Sequence, residues 1–418
     1  MPRVSFRGLI PSLPRPAWIL HAGMALNYVG TGMFTPFLLI YLHSVRGFGL
    51  ETSGLVSALF AGLGMVVGLA AGPLVDRIGA KPIAALSLVL LALGSAAMPL
   101  VHHTWQAFAY IGVAGIGRGL FWPGYSTLLI GVTPASAREG SYAVQRFTSN
   151  LGFAVGGLAA GLIVSTTDPS TFTVIFELNA LSYLVFLVAL AFVAESARAP
   201  RAEEAAVPAG GYRRVLRDRA FVGAVVIGGL LAAFGVAQFN SMLPLYATSD
   251  VGVSERAIGF IFVANTLAIL VLQLPLARLL QGRRRVAALA LTGLLWAASW
   301  VLALGAGLWL AVAPATALLI GVATVFAVGE CLIGVVQGPL VADLAPERLR
   351  GRYTALWLTT SQLGFTLGPA LGGLLLARSP TLLWLVCAGA CLIGSAAALL
   401  LEPVLPFEAR LAPTVPQA

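Results

Sequence analysis

The sequence predicts an all-α integral membrane protein of twelve transmembrane helices, arranged as two parallel six-helix pseudo-repeats. Composition, run length and an internal repeat carry that prediction. Of the 418 residues, 59% are hydrophobic and only 10% charged, against roughly 25% charged in a soluble domain, and mean hydropathy is +0.93. One or two water-soluble cores cannot enclose that much apolar surface, whereas lipid accepts it as outer surface. At ~20–25 residues per span, twelve spans take roughly 240–300 residues and leave about enough for eleven mostly short loops and two tails. Unbroken runs such as Ile83–Leu100 and Val286–Leu304 exclude a transmembrane β-barrel, whose segments alternate over ~10 residues. The repeat has a period near 212 residues: TSNLGFAVG at Thr148–Gly156 aligns without gaps on TSQLGFTLG at Thr360–Gly368, and Pro134 falls on Pro346. A six-helix offset, being even, makes the repeats parallel about an axis along the membrane normal.

Apolar runs bounded by charge or Gly/Pro clusters place helices at about 17–43, 52–75, 81–101, 105–131, 140–165 and 171–195, then at about 219–247, 255–280, 285–304, 314–342, 352–377 and 380–402. The domains follow as a tail over 1–16, a bundle over 17–195, a linker over 196–218, a second bundle over 219–402 and a tail over 403–418. The first eighteen residues lack the apolar core and cleavage site of a signal peptide and read as a retained tail. The linker is polar, holding Arg198, Arg201, Glu203, Glu204, Arg213, Arg214, Arg217 and Asp218. Lys and Arg then set orientation. The tails, linker and even-numbered loops carry almost all of them, while the odd-numbered loops hold only Arg46, Arg256 and Arg378. The positive-inside rule therefore predicts cytoplasmic termini and a cytoplasmic linker. On this reading the net charge of +9 is a topology signal, not a nucleic-acid footprint. Cys331, Cys387 and Cys391 lie in apolar stretches without metal-site spacing and read as packing residues.

The stretch GPLVDRIGAKP, Gly72–Pro82, joins the second and third helices. Gly72 and Gly79 are expected to permit a tight turn, and Asp76, Arg77 and Lys81 place both signs of charge there. It resembles the loop signature of the major facilitator superfamily, G-x-L-x-D-R-x-G-R-K: Gly72, Leu74, Asp76, Arg77, Gly79 and Lys81 match, and Ala80 replaces the first basic residue of the ending. The resemblance implies that Asp76 acts as a latch on positively polarised helix N-termini; an ordinary solvated loop acid is the alternative. The second-half counterpart, Leu274–Arg285, carries Arg278 where Asp76 would fall, and Asp343 closes the tenth helix. Arg278 and Asp343 either pair or remain solvated.

The fifth helix, GFAVGGLAAG, is similar to the G-x-x-x-G-P-x-x-G-G pattern of drug exporters in the superfamily. Gly152, Gly156 and Gly161 are kept, Gly157 stands for proline and Ala160 for glycine. The full pattern appears in the eleventh helix as GFTLGPALGG, with Gly364, Gly368, Pro369, Gly372 and Gly373. Close helix packing by small residues explains both segments equally well.

Ionisable residues inside spans cost ~2.5–3.5 kcal/mol at a helix centre and call for a cavity or a partner. Arg118 lies mid-helix four and Glu330 mid-helix ten, at the same repeat position and with opposite sign. Both are expected to serve proton coupling. Arg118 also resembles the arginine of the family's R-x-x-Q-G motif, although Phe121 and Trp122 replace its last two residues. Spacing puts Arg118, Trp122 and Tyr125 on one face of helix four, and Glu330 with Gln337 on one face of helix ten. Asn27, Tyr28 and Phe34 on helix one and Gln238, Phe239 and Asn240 on helix seven join Phe121 in a predicted, mostly apolar substrate cavity. For each aromatic taken singly, core or lipid packing is the plainer account.

The resemblance implies a secondary active transporter similar to the drug and proton antiporter branch. Its expected activity is proton-coupled efflux of amphipathic small molecules by rocker-switch alternating access, as a monomer in a bacterial inner membrane. A proton-linked importer, and a lipid flippase or non-transporting scaffold, stay open. Expected partners are a small-molecule substrate, protons and membrane lipid. No phosphate-cradling sequence, enzyme constellation, metal cluster, cofactor motif or nucleic-acid site is read in the chain.

Overall fold

The computed structural model describes residues 13–134, 137–193, 211–346 and 349–412. The linker residues Arg198, Arg201, Glu203 and Glu204 therefore lie outside the described residues. Long helices follow one another as α1 (Arg15–Ile40), α2 (Leu50–Ile78), α3 (Ala80–Ala97), α4 (Thr104–Val132), α5 (Arg138–Ile163) and α6 (Ser170–Ala191). After a short turn at Gly211–Val215 come α7 (Arg219–Ser249), α8 (Glu255–Leu280), α9 (Arg285–Trp309), α10 (Val312–Leu344), α11 (Arg350–Arg378) and α12 (Pro380–Leu401). Among the described residues, 9 helices are long and apolar enough to cross a membrane. The other three long helices are diluted by polarity: α5 and α11 open on REGSYAVQRFTSN and RGRYTALWLTTSQ, and α4 contains Arg118, Pro123 and several glycines.

The chain forms two compact units, Met1–Tyr41 with Leu59–Glu204, and Leu42–Ala58 with Ala205–Ala418. In the first, α3 packs on α4 and α6, and α1 on α5 and α6. In the second, α9 packs on α10 and α12, and α7 on α11 and α12. The same neighbours recur six helices on, as the sequence repeat predicts. The first unit's core gathers Leu88, Phe121, Tyr125, Tyr183 and Phe186. The second unit is built on stacked aromatics: Phe326 lies between Trp296 (centroids 4.6 Å apart) and Phe239 (4.5 Å), and Trp300 stacks on Trp384 at 4.9 Å. Such rings bury large apolar area, and a buried indole N–H usually takes a partner. Trp296 donates to the Phe326 carbonyl (3.0 Å) and Trp300 to the Phe234 carbonyl (2.9 Å). Phe234 belongs to a π-helical stretch, Ala232–Val236, that interrupts α7; the changed backbone pairing of such a bulge opens a carbonyl to a side chain.

At one end of the second unit, the segment after α12 straps the α8–α9 connection. Gly282 N–H donates to Ala412 (3.0 Å), Ala412 N–H to Arg283 (2.9 Å) and Arg285 N–H to Arg410 (2.8 Å). Arg284 forms an ion pair with Glu402.

Candidate functional site

The first unit holds a polar cluster inside its apolar helices. Asn27 on α1 is buried, and Thr31 Oγ1 donates to its carbonyl at 2.9 Å and to its side-chain oxygen at 3.3 Å. Asn179 on α6 donates to Ser95 on α3 at 2.9 Å. Tyr183 on α6 is buried in the same unit, and Tyr28 on α1 is half-buried. Arg118 on α4 lies within electrostatic reach of both tyrosines. Its guanidinium carbon lies 5.2 Å from the Phe60 ring centre, and its methylenes run along Gly64. Half-buried, Arg118 is thus held over a ring face by a cation–π contact beside two phenols.

In the second unit, Glu330 is half-buried on α10, and its Oε2 accepts a 2.7 Å hydrogen bond from Asn265 Nδ2 on α8. Asn265 is itself buried and lies 3.4 Å from the Ala323 carbonyl. An amide, a neutral group, holds the carboxylate. Asn265 is not among the positions expected from sequence; a lone amide in the apolar run IGFIFVANTLAIL was the available signal. Gln337, also on α10, is half-buried with its Nε2 wedged against Gly228 and lacking a hydrogen-bond partner among the described residues.

Most of the expected cavity aromatics are packed in cores. Phe121 and Tyr125 stack on each other at 5.6 Å and meet Phe186 edge-on; they are 7% and 1% exposed. Phe34 is buried against Phe60 and Phe176, and Phe239 lies within the second unit's stack. Trp122 alone of these is open, at 40% exposure, yet its ring meets Tyr125 (6.0 Å) and Phe121 (5.8 Å) edge-on, as the spacing of Trp122 and Tyr125 on helix four predicts. Gln238 is fully buried as a brace: its Nε2 donates to the Ala233 carbonyl (2.9 Å) and to Gly368 on α11 (2.8 Å). Asn240 folds back on Val236 at 2.9 Å.

The helix-packing glycines sit where backbones meet. A Cβ at Gly364 would lie 2.7 Å from the Gly229 carbonyl oxygen, and one at Gly368 2.8 Å from that of Ala233. Gly372 faces Gln238 and Met242, with Pro369 beside it in sequence, and a Cβ at Gly373 would lie 2.6 Å from the Leu50 oxygen. In the first unit Gly152 and Gly156 receive α1 at Ala25 and Val29, and Gly157 and Gly161 are buried.

The motif between α2 and α3 differs from expectation. Gly72, Asp76 and Arg77 lie within α2, which runs to Ile78, so the turn rests on Gly79 alone. Its φ of 105° is accessible to glycine and strained for other residues. Gly72 is exposed, and a Cβ added there would meet nothing within 4 Å. Asp76 and Arg77 are exposed, and neither forms an ion pair among the described residues. Lys81 instead reaches the end of α6, donating to the carbonyls of Val193 (2.7 Å) and Ala191 (3.2 Å), where a cation complements the helix dipole. Of the two outcomes expected for Arg278 and Asp343, pairing is not seen and Arg278 is exposed in the last turn of α8, while Asp343 Oδ2 takes a 2.6 Å bond from Arg285, whose side chain is 2% exposed. Arg285 opens α9 and is enclosed by the strap, which brings it to the end of α10, whereas Arg278 stays on the outer surface of α8.

Among the described residues no group of three or more His, Cys, Asp or Glu could hold a metal. His103 caps α4, with Gln106 Oε1 accepting from the backbone of His102 (2.7 Å) and His103 (2.9 Å).

Known proteins share this arrangement. The chain is 25% identical over 388 residues to the MFS-type transporter YqjV of Bacillus subtilis, covering 90% of this chain and 91% of that one. It is 29% identical over 353 residues to the multidrug resistance protein MdtH of Yersinia pestis, covering 82% and 81%. Among solved structures, a POT family transporter in complex with 5-aminolevulinic acid matches with a TM-score of 0.77 at 16% identity, over 96% of this chain and 99% of that one. The nucleoside transporter NupG, as its D323A mutant, matches with a TM-score of 0.72 at 14% identity, over 93% and 100%. The family profile described as Major Facilitator Superfamily matches residues 20–250 and 225–417. With the six-helix pattern of neighbours repeated in both units, the chain belongs to the major facilitator superfamily of membrane transporters.

Proposed function

We propose that this transporter exports amphipathic small molecules in exchange for protons, and that Glu330 carries the proton. The observation behind this reading is the Glu330–Asn265 pair, a mid-helix carboxylate whose hydrogen-bond partner is an amide. Binding or release of a proton there changes the charge of the site by one unit, and among the described residues no ion pair holds Glu330 in its charged form. Moving one charge through a 100 mV potential is worth ~2.3 kcal/mol, enough to drive a useful gradient. Arg118, held over Phe60 beside Tyr28 and Tyr183, supplies the fixed cation of the first unit. The MdtH relatives, named as multidrug resistance proteins, support a drug-like substrate. The charge asymmetry of the loops supports cytoplasmic termini in a bacterial inner membrane, with six-helix bundles over 17–195 and 219–402 alternating as a monomer. Asp76, exposed beside the Gly79 turn, is free to serve as the latch.

A proton-linked importer is the second reading. It gains from the packing of Phe34, Phe121 and Phe239 in cores, which removes the expectation of a strongly apolar cavity.

The test is transport in proteoliposomes under an imposed pH gradient, comparing Glu330→Gln with the parent at equal reconstitution. The parent is expected to move substrate against the proton flux, and the variant to lose that coupling. Coupling at the parent rate in Glu330→Gln sinks the assignment. Movement of substrate along with protons selects the importer.

A further inference from the structure

Helix α6 turns an apolar face outward: Val174, Leu178, Leu181, Val185 and Val188 are all exposed. Glu177 lies in the midst of it, exposed, and forms no ion pair among the described residues. A groove of about 570 Å³ runs between this face and α3, lined by Leu93, Ala96, Leu178 and Leu181 among others, with Glu177 and Thr173 its polar members. That volume is within the range of small-molecule sites. Glu177 is seven residues from Ser170 in a helix of 22 residues, or ~10 Å along a rise of 1.5 Å per residue. Side chains on a helix tilt toward its N-terminus, so the carboxylate reaches back toward the nearer membrane surface.

An acid on a lipid-facing surface is costly without a cation, and neither α3 nor α6 brings one to this groove. We propose that the groove binds a phospholipid with a primary ammonium headgroup, its ammonium on Glu177 and one acyl chain along α3 and α6. Two properties of the site select this occupant. A primary ammonium donates N–H bonds to a carboxylate, which a quaternary ammonium cannot, and charge-assisted bonds of that kind are about twice as strong as neutral ones. A second copy of the chain fits poorly, because an isologous contact through this face sets one Glu177 opposite another.

The experiment is native mass spectrometry of the full chain purified in detergent and mixed with equimolar phosphatidylethanolamine and phosphatidylcholine of matched acyl chains. The parent is expected to retain the ethanolamine lipid over the choline lipid by roughly five- to tenfold, the size of one charge-assisted contact. Glu177→Gln abolishes that preference and Glu177→Asp keeps part of it. Ala96→Trp, which fills the groove and leaves the carboxylate, lowers retention of both lipids. Equal retention by the parent overturns the proposal, as does an unchanged preference in Glu177→Gln. A parent dimer that Glu177→Gln converts to monomer overturns it too, by assigning the face to a second copy.

Discussion

Removing Asp343 and removing Arg285 are unequal perturbations of the same ion pair. The Arg285 side chain is 2% exposed and that of Asp343 50% exposed, with 2.6 Å between them. Asp343→Asn strands an enclosed guanidinium whose Nε already lacks a hydrogen-bond partner among the described residues. Loss of one partner from a fully buried pair costs ~3–5 kcal/mol. Water reaching the Asp343 side lowers that figure to about 1.5–3 kcal/mol, the range for a hydrogen bond to a charged group. Arg285→Met leaves a carboxylate that water can solvate, and methionine fills much of the vacated volume, so the expected loss is smaller, below ~1.5 kcal/mol. The double variant closes a cycle with a coupling of at least about 1 kcal/mol. Thermal unfolding of the purified chain, followed by reaction of a fluorogenic maleimide, measures this locally, because Cys331, Cys387 and Cys391 are buried thiols outside any disulfide and lie in the same unit. Two results refute the reasoning: Arg285→Met more damaging than Asp343→Asn, or losses that add within about 0.5 kcal/mol. Arg278→Met is the control and should be neutral within about 0.5 kcal/mol.

Two glycines of the α2–α3 motif should respond with opposite sign in the same unfolding assay. Gly72→Ala, helical and open to its surroundings, stabilises by ~0.5–1 kcal/mol, whereas Gly79→Ala, at φ 105°, destabilises by ~1–3 kcal/mol; equal effects would contradict the placement of the turn. Lys81→Met removes the ammonium from the Ala191 and Val193 carbonyls and should cost ~0.5–1.5 kcal/mol. Arg77→Met, exposed and without an ion pair among the described residues, should leave the unfolding temperature unchanged; a larger loss there than at Lys81 counts against the capping contact.

The helices were legible because lipid demands long apolar runs, and the bundle repeat because Thr148–Gly156 and Thr360–Gly368 are nearly the same string of residues. Arg118 and Glu330 stood out for the same reason, as charges where charge is expensive. The surroundings of each residue were much less legible. In water, an apolar face points to the core, and a period of 3.6 residues reveals it. In a bilayer, Phe121 gains as much against Phe186 as against an acyl chain, so periodicity cannot separate core, lipid and cavity. Asn265 escaped notice because its role depends on a partner 65 positions away on another helix. The partner of Asp343 was not legible because the strap that delivers Arg285 is set by tertiary hydrogen bonds to residues 410 and 412, which no local pattern announces. The α7 bulge at Ala232–Val236 leaves no mark in composition either.

The strap also decides where a reporter can be grafted. A fluorophore or affinity handle joined beyond Ala412 spares all three backbone rungs and the Arg284–Glu402 contact. Cutting the chain ahead of Leu405 would instead free the α8–α9 corner and uncover Arg285, so a shortened version made for convenience would report on a loosened molecule.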